Sequence, residues 1–334
     1  MDIRGKKIVV IGGAGLIGSH TVDLLTQEDV GEIVIYDNFV RGSRENLKKS
    51  LDDPRVRIFE PTGDLRQTDT LKRVLEGADG VLHFAALWLL ECEEFQRSAF
   101  QVNVEGTFNV LEACVEQGVD RLVYSSSASV YGEALEVPMT ESHPFNNTTF
   151  YGATKIAGEA MLRAYCHKFG LPAVGLRYMN VYGPRQDDKG AYMAVITRML
   201  DSLSKGGAPT IHGDGSQGYD FIHVMDCARA NICALKAETS DRFYNVGTGC
   251  MTTIRELGEL ILGLIDSTKA LQFVPAEREF VQKRIGSTTL AANELGFRAE
   301  IDLETGLRDM IAWWENVKGP LRLSRKKRGA RKAG

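Results

Sequence analysis

The run Ile8-Val9-Val10-Ile11 passes directly into Gly12-Gly13-Ala14-Gly15-Leu16-Ile17-Gly18-Ser19-His20. A short apolar run entering glycines spaced three apart reads as a strand, a tight turn and the opening of a helix. Glycine lets the backbone turn sharply and lets an anion approach with no Cβ in its way, and the helix N-terminus supplies free amides and partial positive charge. A second apolar run, Glu32–Tyr36, ends in Asp37, about twenty residues on, where a carboxylate accepts hydrogen bonds from a ribose. Turn and carboxylate together predict a dinucleotide site. Asp37 favours NAD, because a 2′-phosphate there is repelled; Arg41 and Arg44 are the nearby cations that keep NADP open.

Similar β-branched runs recur at Lys7–Ile11, 33–36, 56–59, 80–84 and 121–125, separated by helical patterns at 15–26, 67–75 and 98–117. This alternation predicts βαβ units and a parallel sheet. A further helix is expected from Tyr151 to about Phe169, then a strand at 173–177. Beyond Asn180 the alternation loosens, with Gly- and Asp-rich loops between helices such as 192–204 and 254–264. The fold expected is α/β: a Rossmann-type doubly wound parallel sheet over residues 1–180, and a smaller C-terminal α/β lobe over 181–318 partly interleaved with it. Residues 319–334 are expected to be a disordered basic tail.

The chain has 334 residues, is 43% hydrophobic and 25% charged, and carries a formal charge of −4. Removing the seven positive charges of the last fourteen residues leaves a body of net −11. An acidic body is a poor nucleic-acid binder. No apolar stretch approaches a membrane span, and no secretory leader opens the chain, so a cytoplasmic location is expected. The cysteines, Cys92, Cys114, Cys166, Cys227, Cys233 and Cys250, are scattered without a C-x-x-C pair and read as reduced packing residues, with no metal site expected.

Tyr151 and Lys155 are four apart, so on a helix they share one face. An ammonium beside a phenol is expected to stabilise the phenolate and make it a usable base near neutral pH. Such a pair alone is common on helix surfaces. The cluster Ser125-Ser126-Ser127-Ala128-Ser129-Val130-Tyr131-Gly132 follows a predicted strand, where a parallel sheet opens its ligand crevice, and a hydroxyl there can hold a substrate oxygen against the tyrosine.

With glycines at 12, 15 and 18, Ser125–Ser127 and Tyr151-x-x-x-Lys155 in order, the chain resembles the extended short-chain dehydrogenase/reductase family of nucleotide-sugar epimerases and dehydratases, from Ile8 to about Trp314. The resemblance implies NAD as cofactor, a nucleotide sugar as substrate and a homodimer formed through the helices at 98–117 and 152–169. It makes Ser127, Tyr151 and Lys155 catalytic. For the cofactor it implies Gly12, Gly15, Leu16, Ile17, Gly18, Asp37, Asn38, Asp64, Leu65, Ala85, Ala86, Asn103, Ser125 and Tyr178, together with Tyr151 and Lys155. For the substrate it implies Ser126, Ser127, Tyr151, Asn180, Arg185, Gln217, Tyr219 and Arg284.

Within that family, dehydratases carry an acid directly after the catalytic hydroxyl, whereas here Ala128 and Ser129 stand there. This points to C4 epimerisation by transient oxidation rather than elimination. Glucuronate epimerases tend to replace Asn180 by Thr and to put Arg where Asp187 stands, so a neutral hexose of the UDP-glucose/UDP-galactose type is expected; glucuronate epimerisation and net dehydrogenation or reduction remain alternatives. Against the galactose-epimerase pattern, Trp88 replaces a lysine and Tyr219 an arginine, which removes an expected phosphate anchor. Arg278, Lys283 and Arg284 are the cations expected to compensate, with Arg284 near the sugar.

Overall fold

The computed structural model describes residues 1–61, 63–187, 193–276 and 281–321. The basic tail beyond Leu321, the start of the helix expected at 192, and Arg278 lie outside the described residues.

The first half supplies β1 (Lys7–Ile11), α1 (Leu16–Leu25), β2 (Glu32–Tyr36), β3 (Val56–Ile58), α2 (Thr68–Leu75), β4 (Gly80–His83), α3 (Leu89–Glu94), α4 (Gly106–Glu116), β5 (Arg121–Ser127), α5 (Phe150–Phe169) and β6 (Ala173–Tyr178). The second half adds β7 (Asn180–Tyr182), α6 (Val195–Ser204), β8 (Thr210–His212), β9 (Gly218–Tyr219), β10 (Phe221–His223), α7 (Val224–Lys236) and β11 (Arg242–Val246). β1 to β6 and β11 form one seven-stranded sheet in the order β11-β6-β5-β4-β1-β2-β3, with every pairing parallel. The strand order reverses between β1 and β4, and a parallel sheet opens its crevice at such a switch point.

Parallel strands are covered on both faces and so are apolar throughout. Ile8, Val9, Val10 and Ile11 are all fully buried. Ile8 and Val10 join a core with Val22 and Leu25 of α1 and Ala230 and Ala234 of α7. Val9 and Ile11 face the other layer, with Leu71 of α2, Val110 and Cys114 of α4 and Leu162 of α5. A third core, including Met199, Leu200, Leu257, Ile261, Leu307 and Trp314, belongs to the C-terminal half. The sheet-edge strand β11 ties that half to the first by pairing with β6 along Arg242–Val246.

Two elements differ from the sequence reading. β5 runs two residues further, because Ser126 and Ser127 continue to pair with Arg177 and Tyr178 of β6. The helix expected at 98–117 runs from Gln96 to Glu116 but widens into a π-helical turn at Phe100–Glu105 before α4. Such a wide turn commonly marks a functional position, and here it contains the buried Asn103.

Candidate functional site

A cleft of about 710 Å³ opens at the C-terminal ends of β1, β4, β5 and β6. Its floor on one side is the glycine turn. Gly12 has φ +80°, and a Cβ on it would lie 2.6 Å from the Ala85 backbone nitrogen; one on Gly18 would lie 2.2 Å from the Gly12 carbonyl oxygen. Gly15 meets only the Gly12 oxygen, at 3.4 Å, and lines the cleft with Leu16 and Ile17. Two glycines therefore let the turn pack against β4 and α1, while the third leaves the α1 N-terminus bare toward the cleft. This is the cradle a diphosphate requires.

Asp37 stands at the end of β2 beside the glycine turn, buried and not among the residues lining the cleft. Its Oδ2 accepts from Ala14 N at 2.9 Å and its Oδ1 from Phe39 N at 2.8 Å, and burial raises its pKa. Each oxygen keeps a lone pair for a ribose hydroxyl. Arg41 is held by Glu91 and Asp187, and Arg44 by Glu60, so both cations near Asp37 already have carboxylate partners. The residues present fit NAD.

Across the sheet, α5 begins at a cap in which Thr149 Oγ1 accepts from Gly152 N at 3.1 Å, setting Tyr151 and Lys155 on the face turned to β5. Tyr151 and Ser127 both line the cleft, and Ser127 Oγ accepts from Ser129 N at 3.1 Å. Lys155 Nζ donates to Ser125 O at 2.7 Å and lies 5.7 Å from the centroid of the Tyr151 ring. Burial pushes the phenol up to about 12, against the pull of Ser127, and pushes the lysine down to about 8. The expected lowering of the phenol is thus outweighed in these surroundings by loss of solvent, and the ammonium is aimed at a carbonyl rather than at the phenol oxygen.

Of the other expected residues, Ala86, Tyr178, Asn180, Arg185 and Arg284 line the same cleft. Arg185 is drawn to α1, where its Nη2 donates to Asp23 Oδ2 at 2.6 Å. Arg284 lies deep and its Nε has no hydrogen-bond partner among the described residues; burial lowers its pKa. Ser126 gives its hydroxyl to Glu159 Oε1 at 2.5 Å. Asn38, Asp64, Leu65, Ala85, Asn103, Gln217 and Tyr219 are not among the residues lining the cleft. Asp64 is engaged by Arg66 at 2.7 Å, Leu65 is packed on Gly106, and Tyr219 donates to Val281 O at 2.8 Å. Gln217 Nε2 reaches His212 O at 3.4 Å, and the Asn38 side chain accepts from Val40 N. Asn103 spends its amide on Leu87 N, Leu87 O and Thr154 Oγ1, fastening the loop after β4 to α5.

The structure adds residues that the sequence reading missed. Arg198 of α6 and His212 of β8 line the cleft, and burial lowers the Arg198 pKa. No hydrogen bond or ion pair engages the Arg198 side chain among the described residues. Only its place in an amphipathic helix was visible in sequence. Beneath α5, Arg177 grips Glu159 through Nε at 2.9 Å and Nη2 at 2.7 Å, with both side chains almost fully buried. Arg177 Nη1 also donates to Tyr131 Oη at 2.8 Å.

The comparisons with known proteins agree with this geometry. The profile of the NAD dependent epimerase/dehydratase family matches residues 8–247. A putative UDP-glucose 4-epimerase from Methanocaldococcus jannaschii is 35% identical over 92% of this chain and 98% of its own. A dTDP-glucose 4,6-dehydratase from Actinoplanes is 29% identical over 92% and 97%. The solved UDP-N-acetylglucosamine 4-epimerase from Methanobrevibacter ruminantium, in complex with UDP-N-acetylmuramic acid, superposes with a TM-score of 0.89 at 31% identity, covering 94% of this chain and 99% of that one. The chain is a member of the NAD-dependent epimerase/dehydratase family, an extended short-chain dehydrogenase/reductase enzyme built on the nucleotide-sugar epimerase fold and using NAD as its cofactor.

Proposed function

We propose that this enzyme inverts C4 of a UDP-linked neutral hexose, of the UDP-glucose/UDP-galactose type, by oxidising it to a 4-keto sugar and reducing it again. The observation that carries this reading is the Ser127, Tyr151 and Lys155 constellation beside a dinucleotide cradle, with no acid next to Ser127. Ala128 and Ser129 are buried and hold no carboxylate, so water elimination lacks its acid and base. NAD, when bound, accepts and returns the hydride. Ser127 orients the C4 hydroxyl, Tyr151 takes its proton and gives it back, and Lys155 supplies positive charge beside the phenol and a donor toward the cofactor ribose. Arg284 and Arg198 are the cleft-lining cations suited to the diphosphate of the substrate, a role in which Arg284 takes over from the position occupied by Tyr219. The similarity to proteins named as UDP-glucose 4-epimerases supports the substrate.

Incubation with UDP-glucose, UDP-N-acetylglucosamine and UDP-glucuronate, with products resolved by proton NMR, tests this. UDP-galactose is the expected principal product, with no build-up of NADH absorbance. Sustained NADH accumulation, or conversion confined to the uronate, contradicts it.

Burial of Lys155 also sets a pH dependence. Its folded pKa, about 8, lies below the ordinary 10.5, so between these values the unfolded chain binds more protons than the folded one. Lys155 therefore adds stability as pH rises from about 8 toward 10.5. Denaturant titrations across this window are expected to show that gain in wild type and its loss in Lys155→Met. Identical pH profiles rule the assignment out.

The exposed faces of α4 and α5 carry Phe108 and Phe169, bridged by Tyr165 through edge and tilted ring contacts. We propose that these faces pair across a two-fold axis in a homodimer. Light scattering at micromolar concentration is expected to give twice the chain mass, and Phe108→Glu to give monomers.

A further inference from the structure

Arg284 lines the cleft without a hydrogen bond or ion pair of its own: none engages its side chain among the described residues, and its buried Nε is unpartnered. A guanidinium left in this state is aimed by its backbone. Lys283 and Arg284 form only a two-residue pairing with Gly218 and Tyr219 of β9, closed by Asp220 N donating to Arg284 O at 3.0 Å. On the other side the chain runs against the segment around Met139, where Met139 N donates to Ile285 O at 2.8 Å and Ser287 N to Met139 O at 2.7 Å.

Asn245, near the end of β11, sits where these segments meet and is fully buried. Its Nδ2 donates to Met139 O at 2.9 Å and to Ser287 O at 3.2 Å, and its Oδ1 accepts from Tyr131 Oη at 2.6 Å. Gly286 lies close against it: a Cβ there would strike the Met179 side chain and come within 3.3 Å of Asn245 Cβ. Tyr131 Oη in turn accepts from Arg177 Nη1 at 2.8 Å, and Arg177 Nε holds Glu159 of α5. One amide therefore joins the segment carrying Arg284 to the loop after Ser127 and, through Arg177, to the helix that carries Tyr151 and Lys155. A carboxamide suits this junction because it presents two donors and an acceptor in one plane. Without it the two carbonyls lose a donor and the Tyr131 hydroxyl its acceptor, all in a buried setting.

We propose that Asn245 is a positioning residue for the reaction, fixing the segment 284–287 so that Arg284 meets the substrate diphosphate. Asn245 is not among the residues lining the cleft, so it acts through Arg284 rather than by touching a ligand. The inference rests on the assignment of Arg284 to that diphosphate, and it extends the substrate site to a buried residue of the large sheet.

Binding of UDP and of NAD to wild type, Asn245→Ala, Arg284→Ala and the double variant, measured by isothermal titration calorimetry, tests it without reference to turnover. Arg284→Ala is expected to weaken UDP by about tenfold or more, the effect of losing a hydrogen bond to a charged group. Asn245→Ala is expected to weaken UDP by about tenfold when Arg284 is present and by less than about twofold when it is absent, because residues acting through one another are not additive. NAD affinity is expected to stay at the wild-type value throughout. An equal loss of UDP affinity in both backgrounds, a parallel loss of NAD affinity, or no loss in Asn245→Ala overturns the positioning role. UDP affinity that survives Arg284→Ala intact overturns the assignment of Arg284 as well. Should Asn245→Ala fail to fold, Tyr131→Phe, which removes only the hydroxyl bound to Asn245 Oδ1, enters the same cycle with a loss of about threefold expected, and the same outcomes decide.

Discussion

Tyr151→Phe is expected to lower turnover by about 10²- to 10⁴-fold, the usual contribution of a positioned proton-transfer group, while NAD affinity stays close to wild type. The substitution removes one oxygen and leaves the ring against Lys155, so the cleft keeps its shape. The hydroxyl lost belongs to the phenol that lines the cleft together with Ser127. Steady-state kinetics alongside NAD titration separate the two effects. Full turnover in Tyr151→Phe removes the tyrosine from the chemistry.

Arg177→Met is expected to cost about 3–5 kcal/mol of stability, because it strands the Glu159 carboxylate without its buried partner. Domains of ordinary stability have roughly 5–15 kcal/mol in all, so the variant loses a large share of it. The damage reaches the site. Glu159 sits one helical turn beyond Lys155 and accepts from both Ser126 and Arg177, so it binds α5 to β5 and β6 next to the cleft. Urea denaturation measures the loss. The charge-free pair Glu159→Gln/Arg177→Met is expected to be more stable than Arg177→Met alone, since it leaves no orphaned carboxylate. Equal midpoints for the two variants contradict this account.

Much of this architecture was legible in the chain. The apolar run before Gly12 and the glycine spacing located β1, the turn and α1, because a fully covered parallel strand leaves no freedom in composition. Tyr151 and Lys155 were placed on one helix face by spacing alone. The environment of that pair was not legible. Spacing brings an ammonium near a phenol, but only the packing of β5 and α3 shows that the lysine is buried, the tyrosine half-buried, and that the lysine points at Ser125 O. Asn103 was visible as a polar residue in a helical pattern; its use as a clamp on Leu87 depends on a π-helical turn that no local propensity announces. Only the resemblance separated Ser126 from Ser127 in the run of serines. The fold separates them: Ser126 donates to Glu159 Oε1, whereas Ser127 Oγ accepts from Ser129 N. Arg198 and His212 come from distant segments that only the tertiary fold brings to the cleft.

The most direct test of the central claim uses UDP-glucose carrying deuterium at C4. If the sugar is oxidised and re-reduced by the same bound NAD, the label leaves as hydride and returns to C4, so the UDP-galactose formed keeps its deuterium in ordinary water. Exchange of that position with solvent hydrogen, or release of the label as free NADH, contradicts the account.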